Sequence, residues 1–285
     1  MIRRTALLAA AMAFVVAPHV FAGTWHKSIA SAQKVAKEKK QLILIDMFAE
    51  WCGWCHRFER EVFPSMAFQQ ATDDIVLLRL NTEDGGEGTS FAKKYSITSL
   101  PTFVLVDQNL SMAGLIRGYS PPNEFAKQLA DVRAAHTAFE KRVKDEAKIA
   151  KDYVQRIQLA KDFMGRSAYD KSEPRLRKLT TEKGVPASIR DEAYYQLAIS
   201  SAMQGKLDDA LKTVRALSAI SKVGEYVERS RLLAGQIYMQ QGNWLGAANE
   251  FRDFKKTFPN SKLNANIDAV LPDLERRLSA GGTGK

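Results

Sequence analysis

The stretch that decides the fold is Leu42-Ile43-Leu44-Ile45-Asp46-Met47-Phe48-Ala49-Glu50-Trp51-Cys52-Gly53-Trp54-Cys55-His56, an apolar run with one embedded carboxylate that leads into a cysteine pair. Leu42 to Phe48 suits a strand buried on both faces, and helical patterning resumes over Cys55 to Phe63. A Cys-x-x-Cys that opens a helix puts Cys52 at the helix N-terminus, where unsatisfied N–H groups and the positive end of the dipole stabilise a thiolate. Cys52 is therefore expected to be ionised at neutral pH and reachable. Cys55, one turn inside, is expected to be sheltered and close enough to attack a mixed disulfide formed at Cys52. A charge inside such an apolar run costs several kcal/mol unless it has a partner or a task, which singles out Asp46. Trp51 and Trp54 flank Cys52 and are read as substrate contacts.

Working outward, Ser28 to Lys40 carries Ile29, Ala32, Val35 and Ala36 at helical spacing. Ile75 to Leu80 and Thr102 to Val106 read as further strands, and Asp107-Gln108-Asn109 can turn the chain into a fourth strand around Met112 to Ile116. A helical pattern lies at Phe91 to Tyr95. Ser120-Pro121-Pro122 starts a helix expected to run to about His136. The order αβαβαββα implies an α/β fold, a central mixed sheet with helices on both faces.

Asp46-Met47-Phe48-Ala49-Glu50-Trp51-Cys52-Gly53-Trp54-Cys55 resembles the active-site segment of thioredoxins. The resemblance implies a thioredoxin-like fold over about residues 23–136 and a thiol–disulfide oxidoreductase. It places Asp46 as the buried carboxylate that exchanges a proton with the resolving thiol, and Arg79 where the family carries a lysine near it. Leu100-Pro101-Thr102 matches the loop whose proline is cis and faces the disulfide, and Gly118 the late glycine bordering the substrate groove. Cys52, Cys55, Asp46 and Pro101 are thus candidate catalytic residues, with Trp51, Trp54, Leu100 and Gly118 at the substrate. Trp54 stands where thioredoxins have proline, and His56 where they have lysine. The dipeptide between the cysteines tunes a potential that spans about −270 to about −120 mV in such proteins, roughly 7 kcal/mol, so the direction of electron flow does not transfer. An aromatic there is compatible with reductase or isomerase work, and reductase is the reading preferred. His56 could add positive charge near the thiolate.

The chain has 285 residues, 42 Lys+Arg against 32 Asp+Glu, and two cysteines. The length suggests two domains, and two cysteines exclude a disulfide-built mini-scaffold or a four-cysteine zinc domain. Arg3 and Arg4, the apolar run Ala6 to Ala17 and Val20-Phe21-Ala22 read as an export signal over residues 1–22. The remainder is expected in the periplasm or secreted, with no membrane span. Residues 23–135 carry 13 Lys+Arg and 13 Asp+Glu, whereas 136–285 carry 27 and 19. That contrast divides the chain into 23–137 and 138–285.

The second part is helical. Tyr194, Leu197, Ala198 and Ser201 share a face, followed by Gly205, Ala210 and Val214. A second copy reads Ala234, Gly235, Tyr238, Gly242, Ala247, Phe251, Phe254 and Pro259, with Gly205 to Gly242 and Ala210 to Ala247 both 37 residues apart. The pattern resembles tetratricopeptide repeats, with an irregular turn needed near Ser221 to Gly224. Residues 138–183 offer a divergent third pair, and Leu271 to Leu278 a capping helix. Stacked helix pairs form concave surfaces for protein partners, and a basic surface favours acidic ones.

The expected function is therefore an exported oxidoreductase that reduces or isomerises protein disulfides, fed by an upstream thiol donor, with the helical part recruiting a partner. No cofactor and no nucleic acid enter this reading. Two alternatives stand beside it. Cys52 to His56 also spells the c-type haem attachment motif, with Met112 or His136 as distal ligand, and the chain could be an envelope scaffold with a vestigial cysteine pair.

Overall fold

The structure, a computed structural model, describes residues 24–279. The expected export signal at 1–22 and the tail Gly281 to Lys285 lie outside the described residues. The N-terminal elements are α1 (Ile29–Lys39), β1 (Ile43–Phe48), α2 (Gly53–Glu61), α3 (Met66–Ala71), β2 (Val76–Asn81), α4 (Glu87–Lys94), β3 (Thr102–Val106), β4 (Met112–Arg117) and α5 (Pro122–Lys144). The sheet order is β2-β1-β3-β4, with β1 parallel to β2 and the other pairs antiparallel. This is the expected mixed sheet, with one helix added. Pro64 follows the end of α2, and Ser65 restarts the helix as α3 by accepting the Phe68 N–H at 3.2 Å.

Side-chain alternation in the strands divides the core into two layers. Ile43, Ile45 and Met47 pack with Ala32 and Ala36 of α1 and with Phe91 of α4. Leu44, Leu77, Phe103 and Leu105 pack on the other face with Phe58 of α2, Phe68 of α3, and Phe125 and Leu129 of α5. Asp46 shares parity with Leu44, so the carboxylate is directed to the face covered by α2. Parallel register sets Arg79 of β2 opposite it. His26 adds a single bridge at the outer edge of β2, donating to Leu77 O at 2.8 Å and accepting from Arg79 N at 3.0 Å.

Helix α5 continues eight residues beyond the expected end at His136, since nothing between there and Lys144 breaks a helix. Its first half is anchored in the sheet core. Its second half buries Phe139 against Leu159 and Phe163, with the Arg166 guanidinium 3.9 Å above the Phe139 ring and Arg142 paired to Asp162 at 2.5 Å. One helix therefore joins the two parts of the chain.

A 3-10 turn at 146–149 leads into α6 (Tyr153–Gly165), α7 (Tyr169–Thr181), α8 (Ala187–Met203), α9 (Leu207–Ile220), α10 (Glu225–Gln240), α11 (Trp244–Thr257) and α12 (Asn264–Ser279). Helices α6 and α7, α8 and α9, and α10 and α11 pack as successive pairs, and α12 packs against α11. A third pair lies at 153–181, starting fifteen residues later than expected because 138–144 belong to α5, the closing helix begins at Asn264 rather than Leu271, and the irregular turn falls at residues 221–224. Gly205 and Gly242 follow the first helix of their pairs at φ +75° and +72°, where a side chain is strained.

Gly235 permits the close approach of α10 and α11: a Cβ there would lie 2.1 Å from Cε1 of Phe251, itself buried. Gly235→Ala is expected to destabilise the helical part by about 1–3 kcal/mol despite the better helix propensity of alanine. Chemical denaturation followed by helical circular dichroism reads this, and an unchanged or raised midpoint would contradict the packing.

Candidate disulfide site

Cys52 is the N-cap of α2, and its Sγ accepts the Cys55 N–H at 3.2 Å. The dipole argument thereby acquires a specific donor aimed at the sulfur. The two cysteines are joined, with S–S 2.01 Å and Cα–Cα 5.2 Å. Phe48, Ala49 and Leu100 pack around the pair, leaving Cys52 3% and Cys55 2% exposed. In this disulfide state Cys52 is thus less reachable than the sequence suggests, because both walls of the strand-to-helix corner are apolar and close over it.

Asp46 is 2% exposed. Arg79 Nε donates to its Oδ2 at 3.0 Å, while another guanidinium nitrogen of Arg79 pairs with Glu59 of α2 and the Arg79 Cζ lies 3.9 Å from the centroid of the Phe48 ring. Burial pushes the Asp46 carboxyl up to about 7; Arg79 opposes that shift, and the nearby Glu59 charge adds to it. Burial is the largest of these influences and prevails over Arg79. A carboxyl tuned in this way can hold or release a proton near neutrality, which an ordinary aspartate cannot.

Glu59 was not singled out in the sequence. Its signal is present, four residues after Cys55 and three after His56, but its meaning depends on α2 lying across β2. His56 extends the network: its Nε2 sits 2.8 Å from the Glu50 carbonyl and its Nδ1 3.8 Å from Glu59 Oε1.

The two tryptophans are exposed on the surface, Trp51 at 69% and Trp54 at 55%. Both are held. Trp51 Nε1 donates to Glu83 at 2.8 Å, and Trp54 packs on Tyr119 with the rings tilted by 35° and their centroids 5.4 Å apart. Arg57 lies over both the Trp54 and Tyr119 rings and donates to Glu61 at 2.9 Å; the Tyr119 hydroxyl donates to the same carboxylate at 2.5 Å. The Tyr119 bond, and after it the Arg57 bond, lower the proton affinity of Glu61, while the bond to Glu61 raises that of Tyr119 against the opposing charge of Arg57. Glu83, Arg57, Glu61 and Tyr119 are further residues the sequence reading did not select.

The Leu100-Pro101 peptide is cis and immediately precedes β3. Antiparallel register sets Thr102 opposite Met47 of β1 and opposite Arg117 of β4, which brings Pro101 and Gly118 to the end of the sheet where the cysteines lie. Gly118, at φ +80°, donates to Pro101 O at 2.9 Å. All eight site residues named from the sequence therefore gather at one end of the sheet.

The haem reading fares differently. Met112 is 5% exposed in the layer under α1 and α4, opposite Val106 at the other end of the sheet. His136 is on α5, where Asp107 of the β3–β4 turn and Arg166 act on it. Neither candidate distal ligand is brought towards His56. Among the described residues, no cluster of three His, Cys, Asp or Glu side chains could hold a metal ion, and no helix is long and apolar enough to cross a membrane.

Comparison with known proteins meets this geometry at the same residues. Residues 29–133 match the family model described as a thioredoxin-like domain. This segment is a thioredoxin-like domain. Residues 229–261, covering most of α10 and all of α11, match a tetratricopeptide repeat. The thiol:disulfide interchange protein DsbD of Haemophilus ducreyi is 27% identical over 96 residues, 33% of this chain and 17% of that protein. DsbD of Salmonella paratyphi A is 33% identical over 76 residues, 26% of this chain and 13% of that protein. The chain thus spans under a fifth of these relatives' length. Among solved structures, a thioredoxin from Thermus thermophilus is 22% identical with a TM-score of 0.36, covering 40% of this chain and 89% of its own.

Proposed function

We propose that the thioredoxin-like domain is a thiol–disulfide oxidoreductase working through Cys52 and Cys55. The observation that carries this reading is the cysteine pair at the N-terminus of α2, set beside a cis-proline loop and above a buried carboxylate whose proton affinity lies near neutrality. In the reducing direction, the Cys52 thiolate attacks one sulfur of a protein disulfide. The S–S bond breaks, a mixed disulfide forms at Cys52, and the other substrate sulfur leaves as thiolate. Cys55 gives its proton to Asp46, and its sulfur attacks Cys52 Sγ, freeing the second substrate thiolate. Two electrons pass from the dithiol to the substrate, and an upstream thiol protein restores the dithiol.

Pro101, Leu100 and Gly118 would align the substrate chain, and Trp51 and Trp54 would supply apolar contact on either side of the target sulfur. Export to the periplasm or cell exterior, the reductase direction, the division at 137/138 and recruitment of a partner by the helical part belong to the same proposal. Packing of α6 against the end of α5 and the influence of Asp107 on His136 support a helical part attached at the pole of the sheet opposite the disulfide. Substrate access to Cys52 and partner binding would then not compete.

Reduction of insulin by the full-length protein with dithiothreitol as electron source tests the activity. Precipitation of the insulin B chain well ahead of the dithiothreitol-only control is expected, and identical time courses would overturn the assignment.

A further inference from the structure

We propose that His56 is a positioning residue that sets the proton affinity of Asp46 by competing with Arg79 for the Glu59 carboxylate. The proposal rests on the reading of Asp46 as the proton acceptor for Cys55. A carbonyl oxygen can only accept, so the 2.8 Å contact with Glu50 O requires that Nε2 carry hydrogen. The neutral ring then presents the Nδ1 lone pair to Glu59, 3.8 Å away. Protonation at Nδ1 replaces that unfavourable approach with an ion pair. The Glu50 carbonyl thus fixes the ring so that gain of a proton is felt first at Glu59.

Glu59 already serves Arg79, and Arg79 serves Asp46. A charged His56 draws on Glu59, leaving more of the guanidinium charge for Asp46 and offsetting the Glu59 charge that favours its protonated form. Protonated His56 therefore lowers the proton affinity of Asp46. Side-chain exposure falls along the path, from 41% at His56 through 34% at Glu59 and 24% at Arg79 to 3% at Asp46, so a solvent-facing ring reports inward to a buried group. The ring lines an open groove of about 680 Å³, where Lys27, Glu50, Glu59, Arg79 and Asp84 supply the facing charges; Arg60 lies one turn further along α2. A proton on the ring and a proton on Asp46 both alter the charge that Glu59 and Arg79 share, so the two protons are coupled.

Asp46 is followed by carbon-13 NMR of its carboxyl in the oxidised full-length protein, for wild type, His56→Gln, Glu59→Gln and the double variant. Glutamine can still donate to Glu50 O and stays neutral. The wild-type curve is expected to be broader than a one-proton titration. His56→Gln should give a one-proton curve with its midpoint raised by about half a pH unit, the scale of a partly exposed charge pair. In the Glu59→Gln background the same change should move nothing. Coincident wild-type and His56→Gln curves would overturn the proposal, as would a shift that persists undiminished without Glu59. The titration requires no turnover, so failure of the exchange reading and failure of this coupling appear in different measurements.

Discussion

Cys52→Ser is expected to lower insulin reduction by at least about a thousandfold, to the dithiothreitol background, while Cys55→Ser should trap substrate covalently. The asymmetry follows from where the sulfurs sit. Cys52 is the cap of α2, and the Cys55 N–H points at its Sγ, so a thiolate there is stabilised by a donor that needs no rearrangement. Cys55 lies inside the first turn of the helix rather than at its cap, and no hydrogen bond to its sulfur is found among the described residues. A serine hydroxyl at position 52 has no accessible anion, and Cys55 cannot reach an external disulfide in its place. With Cys55 replaced, the first displacement still proceeds but nothing breaks the mixed disulfide. Non-reducing electrophoresis of each variant after exposure to a disulfide-bonded protein distinguishes them: adducts on Cys55→Ser and none on Cys52→Ser are expected. Adducts on Cys52→Ser alone would reverse the assigned roles, and a Cys52→Ser rate within tenfold of wild type would remove the chemistry from this pair.

Local patterns that the sequence carries within a few residues of one another were readable, and those that depend on register were not. The apolar run at 42–48 and the cysteines opening α2 declare themselves over short distances, whereas Leu100, Pro101 and Gly118 entered the site only through the family resemblance. The repeat glycines Gly205 and Gly242 likewise mark the helix ends because a positive φ has few other solutions. The Asp46–Arg79 bond spans 33 residues and exists because β1 and β2 pair in parallel with these two positions opposed. The family resemblance suggested this pairing, whereas Glu59, which reaches Arg79 only because α2 crosses that face, had no such guide. Helix α5 extends to Lys144, past the expected end at His136 and past the division at 137/138 drawn from a change in net charge. Charge composition describes solvated surface and does not stop a helix, and the next breaker lies beyond Lys144.

The Asp46 carboxyl carries the second large expectation: Asp46→Asn should stabilise the oxidised thioredoxin-like domain by roughly 2–4 kcal/mol at pH 8, with the gain fading towards pH 4. The folded value of about 7 lies above the unfolded 3.8, a difference equivalent at about 1.4 kcal/mol per unit to roughly 4 kcal/mol. A carboxyl with a raised folded value binds its proton more tightly in the native state. Wild-type stability therefore rises as pH falls from above 7 towards 4, and is lowest where Asp46 is ionised in both states. Asparagine is neutral throughout and keeps an oxygen for Arg79, though it loses the charged character of that bond, which sets the lower end of the range. Arg79 retains Glu59 and is not left unpaired. Denaturant unfolding followed by tryptophan fluorescence suits the measurement, because Trp25, Trp51 and Trp54 lie in this domain and only Trp244 is elsewhere. A difference between variant and wild type that is flat with pH, or a variant less stable at pH 8, would mean that the ion pair with Arg79 outweighs burial. In that case Asp46 would remain ionised through neutrality and could not hold the proton released by Cys55.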